Sequence, residues 1–157
     1  MKKNPFGFSF IFILGIVCTL SSCCTKKGCT ATDGISVIRF ENFGAEEVEH
    51  ISVETFQKDS GFSNRTDSFF ASAQKGYSDT AEFVLLLPKK LSLGNDYKIT
   101  LLIPGREEAY FLNKFLINRR GCNNCFPYRP ASDYVNDLVG YSLNGEPING
   151  NEIIISK

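Results

Sequence analysis

The residues with the most chemistry in this sequence are cysteines. Cys122-Asn123-Asn124-Cys125 is a CxxC pair preceded by Arg119 and Arg120, and Cys24 and Cys29 lie near the start of the chain. Three chemistries use thiols at such spacings. A CxxC whose thiolate is stabilised by cations exchanges disulfides, but such a site is expected at a helix N-terminus in a βαβ setting. Residues 118–130 read instead as a turn-rich loop after a strand. Four thiolates can also hold zinc, and the Cys122 to Cys125 spacing suits it, while Cys24-x₄-Cys29 is at the edge of the usual range. The third chemistry is a structural bridge. Joining Cys29 to Cys122 or Cys125 closes more than 90 residues, which stabilises by about 4 to 5 kcal/mol in the chain-entropy model. Six Cys in 157 residues point away from a reducing compartment. That favours a staple among Cys24, Cys29, Cys122 and Cys125, with the pairing open, and keeps a Cys122/Cys125 thiol-disulfide oxidoreductase as the alternative.

Little else in the chain has catalytic spacing. No GxSxG, HExxH, P-loop or GxGxxG is present, so the hydrolase, zinc-protease and nucleotide readings have no foothold. His50 is the sole histidine. It sits in VEHISVE, whose alternation turns it toward solvent, and one histidine makes neither a triad nor a metal site. Glu46, Glu47 and Glu49 lack the ligand spacing of a calcium loop and read as a solvated face. No metal and no cofactor is expected. Beside the late cysteines, Phe126-Pro127-Tyr128-Arg129-Pro130 is a proline-stiffened aromatic loop. Phe126, Tyr128 and Arg129 are therefore a candidate contact surface, weighed against a plain core-capping role for Phe126 and Tyr128.

The start of the chain reads as an address. Met1, Lys2 and Lys3 precede the uncharged apolar run Pro5–Leu20, the n-region and h-region of an export signal. The run is short for a bilayer span, which needs roughly 20 apolar residues. Leu20-Ser21-Ser22-Cys23 follows directly and resembles the lipobox of bacterial lipoproteins. The resemblance implies cleavage before Cys23, a diacylglyceryl group on its sulfur, and acylation, with palmitate as the typical chain, at the new amino terminus. Cys18, inside the apolar run, and Cys24, behind Cys23, fit that pattern less well. The residues after Cys23 carry neither an Asp at the next position nor an acidic run. The resemblance therefore implies an outer-membrane lipoprotein facing the periplasm, held by its lipid and available to another envelope protein. The chain also resembles small envelope lipoproteins with a Cys-Thr-Lys-Lys tether and a late CxxC-Phe-Pro segment, from which no mechanism carries over.

The elements that must position these residues are strands. Residues 1–22 form the signal, 23–33 a polar tether and 34–157 a single domain. Without Lys2 and Lys3 the 17 basic side chains become 15 against 17 acidic, a balance that gives no grip on nucleic acid. Ile35–Phe43, Val48–Phe56 and Ala81–Leu87 are rich in β-branched and aromatic residues, closed by Gly44, Lys58 and Pro88. Tyr97, Ile99, Leu101 and Ile103 alternate at period two, and Pro104-Gly105 turns the chain into a second long strand, Ala109–Asn118. Leu138–Leu143 and Asn151–Ser156, around Asn144-Gly145 and Asn149-Gly150, suggest a terminal hairpin. Phe62, Phe69 and Phe70 fall in a stretch that is either a strand or a long loop, and residues 132–137 could form one helical turn capped by Ser132. Seven or eight strands of this kind predict an all-β antiparallel sandwich, immunoglobulin-like or related. The function expected is non-enzymatic binding or structural interaction.

Overall fold

Alternation that buries every second side chain makes these segments strands, and two sheets are needed to cover both apolar faces. A computed structural model of the protein describes residues 34–76, 82–121 and 134–157. The strands are β1 (Gly34–Glu41), β2 (Ile51–Gln57), β3 (Arg65–Ala71), β4 (Gln74–Lys75), β5 (Glu82–Ser92), β6 (Asn95–Ile103), β7 (Arg106–Gly121), β8 (Tyr134–Leu143), β9 (Glu146–Asn149) and β10 (Ile153–Ser156), with one 3-10 turn at Ala45–Glu47. One sheet runs β10-β1-β5-β4 and the other β3-β2-β6-β7-β8-β9. The fold is all-β and sandwich-like. The described residues fall in two units, one holding only the ends Arg120–Gly121 of β7 and Tyr134–Val135 of β8, the second those of Ala31–Arg119 with Asn136–Lys157. The second holds both sheets apart from the far end of β7 and the near end of β8.

The core of that unit lies between the sheets. Ile38 and Phe40 of β1, Leu85 and Leu91 of β5, and Ile153 and Ile155 of β10 meet Ile51 and Val53 of β2, Tyr97, Ile99 and Leu101 of β6, and Leu112 of β7. β6 shows the alternation seen in the sequence, with Tyr97, Ile99 and Leu101 fully buried. Pro104-Gly105 forms a two-residue turn closing the Ile103↔Arg106 pair. Gly105 takes a φ of 82°, which a side chain would oppose. On other strands the phase slips. Ile35 and Ile38 both face the core because the β1–β5 register jumps from Ile35↔Leu91 to Val37↔Leu86. Leu112 and Phe115 both face it because Lys114 between them has a φ of 50°, the mark of a bulge.

Several boundaries differ from the sequence expectation. Pro88 does not end its strand: β5 continues to Ser92, because the register jump places the proline, which has no N–H to give, outside the ladder. The second strand begins at Ile51 instead of Val48, since the 3-10 turn takes up Ala45–Glu47. The uncertain stretch becomes edge strand β3, with Phe70 77% exposed, and the short β4, which joins the other sheet beside β5. Residues 134–137 belong to β8, not to a helical turn.

The terminal hairpin is also rearranged. β8 pairs with β9 across Asn144-Gly145, both at positive φ, the pattern of a primed hairpin turn. β10 instead crosses to the other sheet and runs parallel to β1, from Ile38↔Ile153 to Glu41↔Ser156. Two tyrosines bind the sheets together. Tyr97 at the start of β6 donates to the Ser92 carbonyl (2.7 Å) across the Leu93-Gly94 crossover, the geometry of the tyrosine corner of β-sandwiches. Burial pushes its hydroxyl up to about 12. Tyr141 of β8 accepts from the Ile154 N–H (2.9 Å) and donates to the Ile154 carbonyl (3.2 Å). Replacing Tyr141 with Phe keeps the ring and strands both backbone groups. It is expected to lower unfolding free energy by about 1 to 3 kcal/mol, read from urea denaturation.

Candidate functional site

The residues singled out in the sequence divide by place. Cys23, Cys24, Cys29, Cys122, Cys125, Phe126, Tyr128 and Arg129 all lie outside the described residues. His50 is exposed just before β2, and its carbonyl accepts from Leu102 N–H (2.9 Å). Among the described residues no group of three or more His, Cys, Asp or Glu could hold a metal ion, and no helix is long and apolar enough to cross a membrane.

The acidic run has a structural task. The Glu47 carboxylate accepts from the Gly44 N–H (2.9 Å) and pairs with Arg106 (2.8 Å) and with Lys157. It thereby links the 3-10 turn, the start of β7 and the residue after β10. Arg106 also reaches Glu108 (3.0 Å), which accepts from the Tyr110 hydroxyl (3.2 Å). Phe43 packs edge-on against Tyr110, with the Lys157 ammonium 5.8 Å from its ring centroid. The Gly44 N–H first, and Lys157 after it, hold the Glu47 carboxyl below the usual carboxylate range.

One concavity among the described residues lies elsewhere, where strand pairing stops short. β10 accompanies β1 only from Ile38 onward, and β9 accompanies β8 only from Gly140 onward. A cavity of about 670 Å³ opens beside the leading part of β1, the Asp137–Val139 stretch of β8 and residues 151–153. That volume is within the range of roughly 300 to 1,000 Å³ usual for small-ligand sites. Ile35, Leu138 and Ile153 give it an apolar floor, while Val37 and Val139 stay 36% and 44% exposed at its wall. Leu86, paired with Val37, extends this apolar surface outward. On the polar side Arg39 bridges Glu82 (3.3 Å) and Glu152 (3.4 Å), so its guanidinium is held in place. Such a lining offers apolar contact with a few oriented polar groups, which is the chemistry of binding.

Sequence reasoning did not find this cleft. Its lining comes from segments far apart in the chain and depends on where β9 and β10 pair. The local signal was the broken alternation at Val37, where an apolar residue follows Ile35 at period two yet faces outward. Comparison with known proteins finds no family model, no curated protein and no solved structure that matches the chain.

Two outcomes follow from the geometry. A carboxyl lowered by folding contributes stability that is present above its unfolded pKa and is lost as pH falls through the folded value. Glu47→Gln is therefore expected to lower the melting temperature at neutral pH and to flatten its decline on acidification, measured by thermal scans across that range. Val139→Lys, at a half-exposed wall position, is expected to change stability by no more than about 0.5 kcal/mol while placing a charge in the cleft.

Proposed function

We propose that the protein is a lipid-anchored envelope protein of the bacterial outer membrane, facing the periplasm, whose β-sandwich has a non-enzymatic binding role. The observation that carries this reading is Leu20-Ser21-Ser22-Cys23 placed directly after an uncharged apolar run with a basic start. The polar stretch from Cys24 to Asp33 separates that cysteine from β1 at Gly34, giving a folded module on a short tether. Two or more acyl chains, at about 0.8 kcal/mol per buried CH₂, hold a protein to a bilayer where one chain binds only reversibly. The cleft supports the binding part of the reading, because it combines an apolar floor with an ordered ion-pair rim.

Metabolic labelling with palmitate followed by membrane fractionation tests the anchor. Wild-type protein is expected to take up label and sediment with the outer membrane, and Cys23→Ala to lose both. Label retained in Cys23→Ala, or unlabelled soluble wild-type protein, would overturn the reading. For the binding role, the anchored protein recovered from its own membrane should carry a stoichiometric partner that Val139→Lys releases without unfolding the domain.

A further inference from the structure

A strand inside a sheet ordinarily has neighbours on both sides, and the leading part of β1 departs from that pattern. β5 accompanies β1 along its length, from Gly34↔Ser92 to Glu41↔Glu82. The neighbour on the other side, β10, begins only at Ile38↔Ile153. Among the described residues, 34–37 therefore have no strand beside them on that flank. The register jump leaves Ser36 without a Cα partner in β5 as well, and Ser36 and Val37 are exposed. β10 does not extend back along β1 because of how the chain arrives there. Gly150 N–H donates to the Val139 carbonyl of β8 (3.0 Å) and Arg39 holds Glu152 (3.4 Å), so residues 150–152 cross from one sheet to the other.

That open flank faces the cleft described above. Residues 34–37 and residues 137–139 of β8 both line it, and Ile35, Leu138 and Ile153 give it buried apolar side chains. An open strand edge is a template for another extended backbone. In such an addition main-chain bonds supply affinity, and pockets for alternate side chains supply specificity. Residues 34–37, at about 3.3 Å each, make an edge roughly 13 Å long. Charge narrows the class of occupant. The charged side chains of the lining are Asp137, Glu152 and Arg39, and Arg39 is shared between Glu152 and Glu82. Carboxylates thus outnumber the guanidinium, which favours a basic occupant over an acidic one.

We propose that the cleft is a strand-addition site, in which an extended partner peptide alternating apolar and basic side chains lies beside residues 34–37 and continues the ladder that β10 leaves at Ile38. This deepens the binding role given to the cleft and rests on it. Alternate side chains of a strand point to opposite faces, so one set of the peptide's side chains meets Ile35, Leu138 and Ile153. The other set turns outward to the side of the sheet where Arg39 is held between Glu82 and Glu152.

The probe is a capped hexapeptide of alternating valine and lysine, added to the full-length protein in detergent micelles while amide hydrogen exchange is followed. At saturation the amide of Ser36 or of Val37, whichever faces the open flank, is expected to exchange about tenfold more slowly, with the Ile99 amide of β6 unchanged. A valine–glutamate counterpart is expected to bind about tenfold more weakly. So is one of the two valine–lysine peptides N-methylated at alternate residues, which keep the side chains and lose backbone donors. No protection of either amide at millimolar peptide, or undiminished binding by both methylated peptides, would overturn the proposal. Protection of the same amides in the protein alone, rising with its concentration, would overturn it in favour of a second copy as the occupant. A membrane partner released by Val139→Lys, with no response to the peptides, would remove strand addition and leave the cleft's binding role standing.

Discussion

One hydroxyl carries an unusual share of this architecture. β10 is an edge strand, and a parallel edge leaves backbone groups pointing away from its only neighbour, β1. At Ile154 both of those groups are taken by Tyr141 from the opposite sheet. The ring crosses the core and its hydroxyl completes the edge, so a single side chain contributes apolar packing between the sheets and a polar tie across them. The pairing of β10 with β1 and the seating of Ile153 and Ile155 in the core depend on that tie. The cleft depends on it in turn, because its size follows from where β10 begins.

Charge works at the periphery of this frame. The Glu47, Arg106 and Lys157 cluster gathers three separate segments at one end of the sandwich. The Arg65, Glu54 and Lys98 group runs across three strands of the outer face, where hydrogen bonding from Arg65 holds the Glu54 carboxyl low. These pairs are partly solvated and add modestly. Asp96 is the opposite case: burial first, and the nearby Asp59 carboxylate as a lesser cause, raise its pKa. Ionising it therefore works against the fold, whereas ionising Glu47 or Glu54 works for it.

What could be read from the amino acids was whatever local chemistry decides. The period-two run through Tyr97, Ile99 and Leu101, the Pro104-Gly105 turn and the Asn144-Gly145 turn each follow from a few neighbouring residues. What escaped was decided across the core. Bulges let Ile35 with Ile38, and Leu112 with Phe115, face inward at a spacing that resembles neither strand nor helix. Pro88 reads as a stop until the register jump that shelters it is known. Nothing within IIIS indicates that β10 leaves its predecessor for a parallel partner at the far end of the chain. The cleft was hidden for the same reason, and the candidate cysteines and aromatic loop fall outside the described residues, so their chemistry still rests on sequence.

The β1–β10 pairing also bears on when this protein can fold. Ser156 bonds to Glu41 across a sequence separation of 115 residues, and two core isoleucines arrive with that last strand. Contacts so distant raise the contact order and slow folding. The four-stranded sheet cannot close until β10 reaches β1, so completing the core waits on the pairing of the two strands most distant in sequence.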